Sequence, residues 1–369
     1  MKAKALNFLK DLLDTSSPSG FEEAAGKVWR DYLLNASVVD HGEPKYNFSV
    51  ITDVYGNSIA RLRLVVPVSP NAYNNNTIML CGHIDEVGMM VHYINDEGFI
   101  YISSIGGVEA AILPAQRVII HNKNGPVPGV IGRRPPHLAD DDEDEIKFHN
   151  IFVDIGAVDK DDALDLISVG DPITFDAPFL ELANNRIVAR GLDDRMGAWV
   201  VARVLERLME RKKLTTHVVG VATIQEENGF YGGVMVANSV KPTVALAIDV
   251  THVTDVPDIS KEKHGECNLG EGPVLSIGSV AHKKVNALLE RIAEDNRIPI
   301  QKQISPEYTG TDADGIFTKN GGIPTGIVSV PNRYMHSPCE LIQLDDLENT
   351  VELIVRWCES INGETSWRS

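Results

Sequence analysis

Five short stretches of this 369-residue chain gather side chains able to hold a metal ion or move a proton. They are GHIDEVG with His83 and Asp85, RGLDDRMG with Asp193 and Asp194, TIQEENG with Glu226 and Glu227, AIDVTHVTD with Asp249, and YMHSPCE with His336. Imidazoles and carboxylates together are the donor set of zinc and neighbouring divalent metals. Three protein ligands on each ion, with one shared carboxylate, would leave a position open for water. Each stretch alone has a plainer reading. His83 or His336 could be a hydrogen-bonded structural histidine, and Asp193 or Asp194 a helix N-cap. Glu226 and Glu227 could be a solvated pair, and Asp249 a turn former. The set argues for chemistry, because four of the five stretches directly follow an apolar strand.

Such groups collect where the strands of an open α/β sheet end, so the elements around them must supply that sheet. TIMLCG reads as a continuous apolar strand delivering His83. From NNRIVARGLDDRMGAWVVARVLERLMERKK onward the pattern alternates. A strand and a long amphipathic helix are followed by strand HVVGVATI, a helix and strand TVALAIDV. Helix HKKVNALLERIAEDN, strand GIPTGIVSV and a closing helix around LENTVELIVRWCESI complete it. This alternation predicts a mixed, largely parallel sheet covered by helices on both faces. Near the start, residues 5–14 have helical spacing, and Ser19 with Glu22 spells a capping box leading a second helix. FSVITDVYGNSIARLRLVV reads as two strands around a Gly56-Asn57 turn.

The texture differs over residues 90–180. Short strand candidates alternate there with turn clusters such as NDEG and NKNG, with one short helix near KDDALDLI. We expect a catalytic α/β unit over 1–89 and 181–369, interrupted by a small β-barrel-like insertion over 90–180. The acidic run ADDDEDE at 139–145 reads as a solvated loop rather than a metal or partner patch.

Charge and composition exclude several classes. With 52 acidic against 34 basic residues the chain carries a net charge of -18, which repels a nucleic-acid backbone. No apolar run has the length of a membrane span, so no membrane partner is expected. Asp11 and Asp14 interrupt what would be a signal-peptide core, which reads as a cytoplasmic start. Cys81, Cys267, Cys339 and Cys358 lack C-x-x-C spacing, which fits neither a disulfide framework nor a zinc ribbon.

The motifs SPSGFE, GHIDEVG, GVIGRRPPHL, FVDIGA, SVGDPITFD, GLDDRMG, QEENG, DVTHVTDVPD, GTDAD and RYMHSPCE run in this order over essentially the whole chain. In them the chain resembles the glutamyl, or deblocking, aminopeptidases of the tetrahedral-aminopeptidase (TET) family. These are dinuclear metallopeptidases, some carrying an endoglucanase label. The resemblance implies that His83 and Asp249 hold one ion, that Glu227 and His336 hold the other, and that Asp193 bridges both. It makes Asp85 the residue orienting the site and Glu226 the general base. It also implies a cis peptide between Asp193 and Asp194. Zinc or cobalt would occupy the two positions, with manganese also suited. The reaction implied is removal of N-terminal residues from short peptides by metal-activated water. The β insertion would join subunits into a homodimer, and dimers into a hollow tetrahedral dodecamer.

Two departures touch pocket shape rather than ligands. Asn228 stands where the family usually has a small apolar residue, and GFYGG replaces a stretch that commonly carries an arginine. Thr311 and Asp312 fall in a part of the family placed near the substrate pocket, and a turn capping the next helix explains them equally well. The rival activities are weaker fits. A carboxypeptidase or N-deacylase on this scaffold carries its extra domain later in the chain, whereas here it lies between His83 and Asp193. A glycosidase needs two carboxyl groups facing each other across a sugar, roughly 5 to 9 Å apart, and no histidine pair. A non-catalytic scaffold would have lost a ligand or the base, and none is missing.

Overall fold

The structure, a computed structural model, describes residues 1–38, 46–65, 76–134 and 146–368. The acidic run at 139–145 and the end of GVIGRRPPHL lie outside the described residues.

Two amphipathic helices, α1 (Ala3–Asp14) and α2 (Glu23–Ser37), precede the hairpin β1 (Tyr46–Thr52) and β2 (Ser58–Leu64). The Asp53 carboxylate closes the hairpin turn by accepting from the backbone N–H groups of Tyr55, Gly56 and Asn57. After β3 (Thr77–His83) the chain enters six barrel strands. These are β4 (Gly88–Ile94), β5 (Ile100–Ile105), β6 (Arg117–Asn122), β7 (Gly125–Arg133), β8 (Ile151–Asp154) and β9 (Pro172–Phe175), with α3 (Lys160–Leu166) before the last. They close in the order β4-β5-β8-β7-β6-β9. The barrel is filled by its own apolar cluster, including Met89, Val91, Ile102, Val118, Ile120, Val153 and Ile173. Closure removes free strand edges, which a small antiparallel sheet otherwise leaves exposed.

The chain then runs through β10 (Leu180–Leu182), β11 (Arg186–Ala189), α4 (Leu192–Arg211), β12 (His217–Thr223), α5 (Tyr231–Val240), β13 (Val244–His252) and α6 (Lys261–His264). It continues through β14 (Val274–Gly278), α7 (Lys283–Asn296), β15 (Gln301–Ser305), α8 (Asp312–Ile316), β16 (Thr325–Asn332), β17 (Glu340–Gln343) and α9 (Leu344–Ser360). An eight-stranded sheet has the order β1-β2-β12-β3-β13-β16-β14-β15. Its centre, β12, β3, β13 and β16, is parallel. Strand residues alternate between two cores. Ile78 and Leu80 of β3 join the cluster formed with α1, α2, α4 and α9, whereas Met79 and Cys81 join the one with α5 and α8. The expected fold class therefore holds, with helices on both faces and a barrel inserted.

Helix α4 is the pillar under the site. Trp29 Nε1 donates to the Ala198 carbonyl at 2.7 Å and Trp199 Nε1 to that of Ala5 at 2.9 Å, tying α4 to both N-terminal helices. It lies so close to β3 that a Cβ on Gly82 would stand 2.4 Å from the Gly197 carbonyl carbon. No side chain fits there, and this approach brings the helix start beneath His83.

Three features depart from the sequence expectations. The sheet gains β14, which runs antiparallel to β16, and β15, which runs parallel to β14. A separate three-stranded sheet, β10-β11-β17, lies beside it. The capping box is absent, because Ser19 Oγ donates instead to Asp85 Oδ2 at 2.6 Å. Glu22 turns to the N–H groups of Gly20 and Gln225, and α2 starts one residue later. A buried carboxylate claims the serine proton more strongly than a helix end can claim its oxygen. All four cysteines are unpaired, with Cys339 exposed and the others buried. Among the described residues no helix is long and apolar enough to cross a membrane.

Candidate metal centre

The seven residues given a role in the sequence reading converge at the carboxyl ends of the parallel strands. His83 closes β3, and its register partner on β12 is Thr223, so the Glu226–Glu227 loop emerges beside it. Asp249 lies in β13, Asp193 in the first turn of α4, and His336 on the loop between β16 and β17. The Asp193–Asp194 peptide is cis. The two aspartates part company there. Asp193 faces the imidazoles, while Asp194 points back into α4, its two oxygens accepting from the His83 and Gly197 N–H groups at 3.1 Å. Thr311 takes the plainer role weighed for it, its Oγ1 capping α8 through the Ala313 N–H. Asp312 is buried behind the strand ends, accepting from Thr223 Oγ1 at 2.6 Å.

Both imidazoles present the same arrangement. His83 Nδ1 lies 3.1 Å from the Asp85 carbonyl oxygen and 3.4 Å from Asp85 Oδ1, so its proton sits on Nδ1. Its Nε2 lies 3.1 Å from Asp193 Oδ1 and 3.7 Å from Glu226 Oε2. His336 Nδ1 donates to the Gly107 carbonyl at 3.2 Å. Its Nε2 lies 3.2 Å from Asp193 Oδ2 and 3.5 Å from Glu227 Oε2. A neutral ring thus aims a lone pair at carboxylate oxygens, which repel it. Only a second ring proton or a cation between them relieves this.

The donor set fits a divalent cation. Among the described residues, ligand atoms of His83, Asp193 and Glu227 lie within 4.8 Å of one another, as do those of His83, Glu226 and Asp249. Glu226 Oε1 and Glu227 Oε1 are buried without a hydrogen-bond partner among the described residues. Oxygens in that state are open to a cation or to a proton in transfer, since buried polar atoms otherwise find a partner.

Electrostatics agree. Burial, with Asp249, Asp312 and Glu227 adding to it and His83 opposing, drives the Glu226 carboxyl far above its ordinary range. Burial and the Asp193 charge likewise push Glu227 up to about 8, and burial with Asp193 and Asp312 pushes Asp249 up to about 8. Burial alone would lower His83, but Glu226, Asp193 and Asp85 outweigh it and raise it well above the usual value. For His336 the hydrogen bond it donates to Asp193 outweighs burial and, with Glu227, pushes it up to about 9. Asp193 moves the other way, because the two imidazoles overcome its burial and hold it ionised. So many carboxylates in one dry pocket stay charged together only with added positive charge.

The surrounding shell holds these groups in place. Asp85 accepts from the Glu226 and Glu227 N–H groups at 3.1 and 3.2 Å, fixing the glutamate loop against His83. Glu340, the first residue of β17, accepts from the Asp193 N–H at 2.8 Å on one oxygen and from the His336 N–H at 2.9 Å on the other. Below them, Glu86 pairs with the buried guanidinium groups of Arg190 and Arg195. Sequence reasoning missed Glu340, Glu86 and both arginines as site-builders. The only local signal was their place inside motifs already singled out.

Comparison with known proteins gives the chain's family. A sequence model of the family described as M42 glutamyl aminopeptidase matches residues 65–353. The lysyl aminopeptidase of Pyrococcus furiosus is 32% identical over 351 residues, covering 94% of each chain. A solved TET aminopeptidase from a marine sediment archaeon of the Thaumarchaeota superposes with a TM-score of 0.87 at 28% identity, covering 97% of both chains. A TET peptidase of Pyrococcus horikoshii, which can assemble into a tetrahedron or a large octahedral shell, gives a TM-score of 0.79 at 28% identity. That match covers 97% of this chain and 100% of the other. Matched over most of its length in sequence and in fold, the chain belongs to the M42 glutamyl aminopeptidase family.

Proposed function

We propose that this chain removes N-terminal residues from short peptides at a centre of two divalent ions. As a member of its family it is a metal-dependent aminopeptidase. The finer assignment is ours: His83 and Asp249 on one ion, Glu227 and His336 on the other, and Asp193 across both. The observation that carries it is Asp193, whose two oxygens each face the Nε2 of a different imidazole. Zinc or cobalt suits this mixed donor set, and manganese is also compatible.

When bound, such ions lower the pKa of water toward neutrality and polarise a scissile carbonyl. The chain's own residues do the rest. Glu226 takes a proton from water and returns it to the leaving amine nitrogen, and its unpartnered buried Oε1 is the atom available for that transfer. Asp85 keeps the base in place through the Glu226 N–H. Burial around His83, Asp193 and Asp249 excludes bulk water, which strengthens each electrostatic contact. The family's name and the lysyl relative point to different N-terminal residues, so family membership does not set the side-chain preference.

We further propose that the β insertion pairs subunits, and that dimers build the kind of hollow assembly known for the Pyrococcus horikoshii peptidase. Such a shell would keep folded proteins away from a site able to cleave most amides. The test of the catalytic reading is chelation followed by reconstitution with zinc, cobalt or manganese, scored on a panel of aminoacyl-anilides. Glu226→Gln should bind both ions yet lose turnover by about 10²–10⁴-fold. A metal-free Glu226→Gln protein refutes the assignment of Glu226 as base.

A further inference from the structure

The loop leaving barrel strand β5 reaches into the metal centre. Gly106 lies against Glu227, where a Cβ would meet Glu227 Cβ at 3.2 Å and Oε2 at 3.4 Å. Gly107 lies against His336, where a Cβ would stand 2.9 Å from Nδ1 and 3.1 Å from Cε1. The Gly107 carbonyl accepts the Nδ1 proton of the same ring at 3.2 Å.

We infer that Gly107 is a positioning residue for His336, so that the inserted barrel is a built part of the metal centre as well as an attachment surface. His336 needs such a contact. Its side chain is 36% exposed, whereas that of His83 is 2% exposed. Its backbone is anchored by the Glu340 carboxylate, but that bond leaves the ring free to rotate. On the ring itself, Asp193 and Glu227 approach only Nε2. The Gly107 carbonyl fixes the proton on Nδ1 and thereby turns the Nε2 lone pair toward the two carboxylates. Outer partners of this kind commonly set tautomer and orientation for a ligand histidine. The absence of a side chain is equally necessary, because no carbon can occupy 2.9 Å beside an aromatic nitrogen without displacing it.

Gly107 suits a clean substitution. Its φ lies outside the left-handed region, so alanine fits the backbone and, among the described residues, the new methyl meets only the imidazole. The half-exposed ring would then swing toward solvent. This rests on the two-ion reading above, and zinc titration by calorimetry of chelator-stripped protein separates the two claims. The expected result is two bound ions for the wild type and, for Gly107→Ala, about 10–100-fold weaker affinity for one ion with the other essentially unchanged. Ser103→Ala serves as control, since it alters an exposed position of the same strand β5 without adding an atom. It should titrate like the wild type.

A wild type that binds fewer than two ions overturns the two-ion reading itself. A Gly107→Ala protein that titrates like the wild type, or that loses both ions equally, overturns the role of Gly107 alone. If Gly107→Ala does not fold, the His336→Ala/Gly107→Ala double variant decides, because the methyl then meets no ring. It should fold and titrate like His336→Ala, and any further loss overturns the inference.

Discussion

Replacing Glu86 by alanine probes the charge network under the site most severely. The carboxylate is 2% exposed and accepts from Arg190 Nη1 on both oxygens at 2.5 Å, from Arg195 Nη2 at 2.7 Å and from the Ser17 N–H at 2.9 Å. Arg195 is completely buried, and its remaining donors reach the carbonyls of Leu12, Thr15 and Gly191. Glu86→Ala leaves two guanidinium groups close together without the carboxylate that pairs directly with both. Removing one member of a buried ion pair costs about 3–5 kcal/mol, a large part of the ~5–15 kcal/mol that holds a typical domain together. Glu86→Gln keeps the shape and one acceptor, and should cost about 1.5–3 kcal/mol, the worth of a charge-assisted hydrogen bond. The pH dependence has a definite sign. Burial would raise the Glu86 carboxyl, but Arg190 and Arg195 outweigh it and hold it below the ordinary carboxylate range. A depressed folded pKa gives stability that is complete above the unfolded value, about 4.3, and is lost as pH falls through the folded one. The gap between wild type and Glu86→Gln should thus stay constant from neutral pH to about pH 5 and narrow below about pH 4. Urea unfolding followed by circular dichroism measures both effects. A Glu86→Ala protein within about 1 kcal/mol of the wild type at neutral pH, or a gap that widens on acidification, would refute the reasoning.

Calorimetric metal titrations of His83→Ala and His336→Ala should each lose one ion selectively, and equal loss of both by both variants contradicts the proposed pairing. Glu340→Gln points an amide group at one of two backbone N–H groups, so it should weaken metal binding about 10–100-fold with the far-ultraviolet spectrum unchanged. Normal affinity would show that Glu340 does not hold the ligands. Light scattering at micromolar concentration and moderate salt should find dimers or larger assemblies, and a monomer alone defeats the assembly proposal.

The site was legible where its signal is local. His83, Glu226 and Asp249 each stand in or just after an apolar strand, so position and chemistry could be read from a few neighbours. Glu340 carries no such mark. Its part depends on β17 pairing with β11, which sets Glu340 opposite Ala189 and close to the start of α4. Ser19 and Glu22 carry a misleading mark, since their spacing suits a capping box but a carboxylate 66 residues away takes the serine proton. Gly107 is silent for the same reason, as nothing in IGGVE announces that a histidine 229 residues later will lie against it. Strand β14 was missed because only its first three residues are buried and its partners lie far along the chain. Long-range pairing, rather than propensity, decides all of these.

The way the barrel is spliced in bears on how the centre can assemble at all. His83 and Asp193 are 110 residues apart in the chain, and closing a flexible loop of that length costs roughly 4 kcal/mol in entropy. A barrel that closes first would shorten that loop. Its first and last strands are neighbours, with Met89 opposite Ile173 and Met90 opposite Pro172, and its apolar interior is its own. Once it has closed, only the connections 84–87 and 176–192 remain to be ordered, about 20 residues at roughly 3 kcal/mol. The insertion thus acts as a clasp, presenting the two halves of the centre to each other from a single folded knot of chain.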